Sequence, residues 1–208
     1  MSTILEKNFS HTFRTICCRI NQVNLIIHFS MNIEFIQRQE KEEVSKFYYN
    51  VFSQSGGEEE GNVLKSLTHE LTDQISDDYI IGLKTVSRNE IIGSIFLTKL
   101  DYLEKIKIYL LSPVGVHPGH QNKKIGSKII NFAFEYLRSQ NIDYLVTYGD
   151  PKYYTKFDFT PITVDTLPAP FALSQPQGWL LKKIDNKDLP VINSTPKCAT
   201  PFNNQGLW

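Results

Sequence analysis

The strongest constraint on this fold is a helical segment set between two strand-like apolar runs. Residues 105–111 read as strand, the chain opening at 121–127 and stopping near 139–141 as helix, and residues 144–148 as strand again. In the helical segment Ile129, Ala133 and Leu137 form one stripe, flanked by Ile130 and Phe134, while Lys128, Asn131, Glu135 and Arg138 face the other way. Strand, helix and strand in that order make a βαβ unit with parallel strands, because the helix carries the chain back across the sheet. A ligand at such a crossover lies at the carboxyl ends of the strands. There the loop His117-Pro118-Gly119-His120-Gln121-Asn122-Lys123-Lys124 turns directly into helix. Free N–H groups and the positive helix end make an anion site. The expected ligand carries phosphate, bound where Gln121, Asn122, Lys123, Lys124, Ile125, Gly126 and Ser127 open the helix.

Pro113 adds a second constraint. It lies between Leu111 and Val114, two residues that otherwise suit a strand, and proline cannot donate to a ladder. A bulge there splays the strand from its neighbour and leaves amides such as that of Val114 unpaired; a plain strand end is the alternative.

The remaining pattern suits a mixed α/β (α+β) domain beginning near Met31. A short strand at 33–37 precedes helices at about 39–52 and 61–71, with Val44, Phe47, Tyr48 and Val51 sharing one face. Runs 79–86 and 90–97 form a hairpin across Ser87-Arg88-Asn89. The loop after residue 148 is dense in aromatic rings, which usually means packing. Beyond it come six prolines between Pro168 and Pro201, and an extended wrap anchored by Trp179, Leu180 and Leu181 is expected. The expected division is an extension at 1–30, a domain at 31–185 and a tail at 186–208.

Composition excludes several functions. The chain has 208 residues, with 22 Lys and Arg against 22 Asp and Glu, so net charge points neither to nucleic acid nor to an anionic membrane. Apolar residues at 41% and charged residues at 21% suit a globular domain with a real core. Lys105, Lys107, Lys123, Lys124 and Lys128 are expected around the anion loop, while the glutamates at 58–60 are read as a solvated patch. Cys17, Cys18 and Cys198 make neither a disulfide framework nor a zinc site and fit a reducing cytoplasm. His117 and His120 lack further ligands nearby, so no metal is expected. A phosphate-binding loop of the Gly-x-x-x-x-Gly-Lys-Ser/Thr kind is absent: counted from Gly115 the second glycine position holds His120, and counted from Gly119 it holds Lys124. Residues 1–30 carry one acid, Glu6, and are read as an upstream extension, with no span apolar enough for a membrane.

Two motifs, joined by a helix and a strand, resemble the GNAT superfamily of N-acetyltransferases, and its YhbS-like bacterial branch in particular. Val116-His117-Pro118 followed by Gln121-Asn122-Lys123-Lys124-Ile125-Gly126 is similar to the family's acetyl-CoA signature, Gln/Arg-x-x-Gly-x-Gly/Ala after Val-x-Pro. Tyr154, five residues before Phe159, is similar to its second signature, and Gly149-Asp150-Pro151 ahead of two tyrosines resembles the branch named. The likeness covers about residues 31–181. Lys124 departs from it, standing where glycine usually lets the backbone approach pyrophosphate; it must keep an ordinary φ or accept strain.

The resemblance implies a GNAT fold, a mixed central sheet whose splayed parallel strand pair forms the CoA cleft, flanked by helices. It implies acetyl-CoA as cosubstrate, held by amides of residues 122–127 with Lys123 or Lys124 adding charge, and Val114 and Val116 pairing with the pantetheine arm. Phe157 packs against that arm or in the core. The Val114 amide would stabilise the oxyanion, and Tyr154 would protonate the leaving thiolate. The base is open among Asp150, Glu90 and water, and Asp150 equally suits a cap. A small-molecule or peptide amine is the expected acceptor, in a monomer or homodimer. The alternative is a non-catalytic acyl-CoA sensor or scaffold of the same fold.

Overall fold

A computed structural model describes residues 32–76 and 78–208; the expected extension at 1–30 lies outside the described residues. One mixed sheet is built from β1 (Asn32–Phe35), β2 (Ile80–Ser87), β3 (Glu90–Leu100), β4 (Ile108–Val116), β5 (Tyr144–Tyr148), β6 (Thr160–Pro161) and β7 (Trp179–Lys183). Their spatial order is β1-β2-β3-β4-β5-β7-β6. Among these pairs only β4 and β5 run parallel. The helices are α1 (Lys41–Gly56), α2 (Glu58–Asp73), α3 (Ile125–Ser139) and the single turn α4 (Pro151–Tyr154).

Side-chain alternation along the strands assigns the two faces. Toward α1 and α2 point Ile80, Phe96, Leu110, Val146 and Trp179, meeting Val44, Phe47, Tyr48, Val51, Leu67 and Leu71. Toward α3 point Leu83, Ile95, Leu111, Leu145 and Leu180, meeting the expected stripe of Ile129, Ala133 and Leu137, all fully buried. The β2–β3 hairpin turns on Arg88 and Asn89, both at positive φ (50° and 64°). That conformation matches the strand twist, and asparagine tolerates it well.

The glutamates at 58–60, expected between the helices, are instead the first turn of α2. Gly57 alone, at φ 92°, separates the two helices, and the carboxylates lie at the positive end of the α2 dipole. The strand expected to stop at Leu111 runs on to Val116. Leu97 faces Leu111 while Ile95 faces Val114, so Phe96 alone spans Ser112 and Pro113. The bulge accommodates a residue that has no N–H to give.

Trp179, Leu180 and Leu181 anchor no extended wrap; they are strand β7, paired with β5 and β6. A strand buried on both faces reads as a plain apolar run, which hid it. Residues 186–208 place Ile192, Ala199, Phe202 and Trp208 in the core on the α1–α2 side. No helix among the described residues is long and apolar enough to cross a membrane.

Candidate active site

The two parallel strands part company midway. Ile108, Tyr109 and Leu110 of β4 pair with Tyr144, Leu145 and Val146 of β5, and there the pairing ends. Thr147 and Tyr148 continue β5 but pair only with β7. At the branch point the Thr147 hydroxyl donates to the Leu111 carbonyl at 2.9 Å, a side chain standing in for the lost ladder bond. Beyond it a gap opens beside residues 112–116.

The register tells which way the gap-side amides point. His117 N–H donates to the Ile92 carbonyl at 3.0 Å. Bonded and non-bonded pairs alternate along an antiparallel ladder, so Gly115 is bonded to Ser94. The pairs Val116–Gly93 and Val114–Ile95 are then the non-bonded ones. Val114 and Val116 therefore direct their N–H and C=O groups away from β3, toward the place β5 has vacated. The bulge is pinned from behind by Tyr48 of α1. Its phenol, fully buried, donates to the Pro113 carbonyl and is hydrogen-bonded with the Ser94 hydroxyl, each at 3.2 Å. The rings of Phe47 and Tyr48 also close over Gly115, where a Cβ would lie 3.0 Å and 3.2 Å from them.

The anion loop follows at the open end of the gap. His117 Nδ1 accepts from Gly119 N–H at 3.1 Å, and Lys123 Nζ donates to the Gly119 carbonyl at 2.9 Å, which fastens the turn. Desolvation, with Lys123 and His117 nearby, holds His120 below its ordinary pKa. Gln121, Asn122, Lys123 and Lys124 are exposed, Ile125 and Gly126 are buried, and Ser127 is half-buried. The N-cap residue, Lys124, makes no side-chain cap bond to α3, so it does not compete for the first-turn amides. Lys105 and Lys107, expected around this loop, precede β4 at its other end, more than 25 Å of strand away at about 3.3 Å per residue.

Lys124 takes the strained choice. It is the N-cap of α3 at φ 61°, ψ 19°, a left-handed conformation that costs a side-chain-bearing residue about 1–2 kcal/mol. Lys124→Gly is expected to raise or preserve thermal stability and leave CoA affinity within about threefold, by scanning calorimetry and titration. A collapse of binding would show that the ammonium itself holds phosphate.

Tyr154 lies at the inner end of the gap. It is 8% exposed and packs against Phe159 (ring centroids 5.6 Å apart). Gly149 has no side chain to spare here: a Cβ on it would sit 2.7 Å from the Tyr154 ring. Burial pushes the Tyr154 phenol up to about 12, opposed by hydrogen bonding with the Thr147 hydroxyl. The branch-point threonine and the phenol thus belong to one cluster. Phe157 packs in the core on the α3 side, the second of its two expected roles.

Asp150, expected as a base or a cap, does cap α4. Its Oδ1 accepts from Lys152 N–H at 2.9 Å at the start of α4, and its side chain is otherwise exposed. Glu90 is exposed at the hairpin, three residues past the register of Val116, outside the gap. No cluster of His, Cys, Asp and Glu suited to a metal occurs among the described residues. Sequence reasoning missed Tyr48 and Thr147. Tyr48 looked like one more apolar stripe residue, and Thr147 like a strand former, though a hydroxyl inside a buried run is itself a signal that a partner is needed.

Residues 78–161 match the family model described as an acetyltransferase (GNAT) domain. No curated protein sequence matches the chain. Among solved structures, a GNAT family N-acetyltransferase (YhbS) from Escherichia coli in complex with CoA is similar at TM-score 0.68 and 15% identity, over 84% of this chain and 92% of that one. A GNAT family acetyltransferase from Brucella melitensis with acetyl-CoA is similar at 0.59 and 21%, over 85% and 100%. The PaiA N-acetyltransferase from Thermoplasma acidophilum with coenzyme A is similar at 0.58 and 14%, over 74% and 99%. At these identities the likeness establishes the fold.

Proposed function

We propose that this chain, whose residues 78–161 match an acetyltransferase (GNAT) domain and whose fold is similar to that of GNAT structures, transfers an acetyl group from acetyl-CoA to a primary amine by direct attack. The observation that carries this reading is the gap: Val114 and Val116 offer strand-edge groups with no strand opposite, beside a helix end to which the N-cap residue makes no side-chain bond. A pantetheine arm has amides at strand-like spacing, and its pyrophosphate is the anion the helix end favours. Structures of similar fold hold CoA or acetyl-CoA.

In this reading the amides of residues 122–127 hold the pyrophosphate, and Lys123 and Lys124 contribute charge at its rim. Val114 and Val116 pair with pantetheine, which sets the thioester near the bulge. The neutral amine attacks the carbonyl carbon, the C–N bond forms, and the carbonyl electrons move to oxygen. The Val114 N–H stabilises that oxyanion, a role in which one donor contributes about 3–4 kcal/mol. Collapse breaks the C–S bond and the electron pair leaves on sulfur, which takes a proton from the Tyr154 hydroxyl. The proton lost by the attacking nitrogen passes through water and restores the phenol, so no base residue is required. The elevated Tyr154 pKa keeps the phenol protonated at neutral pH and makes it a reluctant acid, so the thiolate takes the proton as the C–S bond breaks.

The test is release of free CoA thiol from acetyl-CoA across a panel of small and peptide amines, with mass spectrometry of the products. Amine-dependent thiol release with an acetylated product is the expected result. Saturable CoA binding without turnover on any amine would instead favour a sensor.

A further inference from the structure

We infer that the Tyr153 hydroxyl is a second phosphate donor at the mouth of the cleft, binding the CoA pyrophosphate beside the first turn of α3. The inference rests on the CoA reading above and assigns a residue that reading leaves without a role.

Three elements meet at one point. A Cβ on Gly126, in the first turn of α3, would lie 2.6 Å from the Tyr153 hydroxyl oxygen and 3.3 Å from a Val116 methyl. Tyr153 therefore reaches from α4 across the mouth of the gap to the end of β4 and the start of α3, where the pantetheine arm must give way to phosphate. Its approach also accounts for glycine at 126.

The ring is held in place. It meets Tyr154 edge-on at 5.0 Å and 87°, lies 5.5 Å from Phe157, and carries Lys156 Nζ over its face at 4.1 Å. A ring fixed on three sides loses little freedom when its hydroxyl binds a ligand. Burial alone moves the Tyr153 pKa, upward, with no hydrogen-bond partner contributing. The group is thus a protonated donor at working pH, half-buried and aimed at the corner where an anion is expected. A phenol donating to a phosphate oxygen is a charge-assisted bond, stronger than one between neutral groups.

The test titrates CoA calorimetrically into the wild-type chain, Tyr153→Phe, Gly126→Ala and the double variant, with ³¹P spectra of bound CoA. Tyr153→Phe should raise Kd roughly threefold to tenfold. It should move the pyrophosphate resonances and leave that of the 3′-phosphate in place. Gly126→Ala displaces the hydroxyl, so it should weaken binding similarly, and the double variant should be no worse than the poorer single one. Equal Kd and unchanged pyrophosphate resonances in Tyr153→Phe would overturn the inference. So would weaker binding with unmoved resonances, which marks a merely structural ring. A wild-type chain that does not bind CoA overturns the CoA reading itself, a different result from a wild type that binds and a variant that binds equally.

Discussion

Tyr154→Phe should lower amine-dependent turnover by tenfold or more, toward the hundredfold typical of losing a general acid, while CoA affinity stays within about twofold. The substitution removes one oxygen from a ring already fixed by Phe159 and by the absence of a side chain at Gly149. Packing is therefore preserved, and what disappears is the proton for the departing sulfur. The same group fixes an expectation for pH. A phenol raised to about 12 is protonated throughout the ordinary range and loses its proton only as pH rises through that value. The alkaline side of the wild-type profile should accordingly show no fall from this residue below about pH 11. Stopped assays of kcat and KM for acetyl-CoA, beside calorimetric Kd, separate the two quantities. Unchanged turnover in Tyr154→Phe removes the phenol from the mechanism.

Removing residues 186–208 should abolish cooperative unfolding. Trp208 is 4% exposed and packs with Tyr148, Trp179 and Phe202 at ring separations of 6.4, 6.2 and 6.1 Å. Its indole N–H donates to the Phe202 carbonyl at 3.0 Å, and its own carbonyl accepts from Ser174 N–H at 2.9 Å. Further back, the Glu104 carboxylate accepts from the Asn193 amide (2.9 Å), the Ser194 amide (3.2 Å) and the Ser194 hydroxyl. Those bonds, the Ser194 hydroxyl first, hold its pKa down to about 2. Truncating one large aromatic core residue costs about 3–5 kcal/mol. Losing Phe202 and Trp208 together matches much of the 5–15 kcal/mol that holds a typical domain folded. Trp208→Ala alone should therefore lower Tm visibly, and the shortened chain should melt without a transition. A shortened chain with the full-length Tm would show the segment to be a dispensable wrap.

These two results fall on opposite sides of what the sequence made legible. The βαβ unit was readable because a period of 3.6 between two apolar runs admits few alternatives: the stripe of Ile129, Ala133 and Leu137 is buried as expected. The bulge was readable because Pro113 has nothing to donate, and the observed register places it there. Tyr154 was singled out by the resemblance of its place before Phe159 to the family's second signature, and it is buried against that ring. Less was visible where a residue's role depends on long-range contact. Tyr48 reaches the Pro113 carbonyl 65 positions away, and Trp208 finds its ring partners only once the tail has crossed the sheet. Asp150 illustrates a local ambiguity, since Asp before Pro serves a cap or a base by type, and the cap becomes visible only in the bond to Lys152 N–H.

The central claim is that Val114, Val116 and the first turn of α3 form one binding surface for CoA. Backbone amide resonances of the ¹⁵N-labelled chain, followed as CoA is added, test it most directly. The largest shifts, and new protection from solvent exchange, are expected at Val114, Val116 and residues 122–127. Shifts confined elsewhere, or none at millimolar CoA, would contradict it.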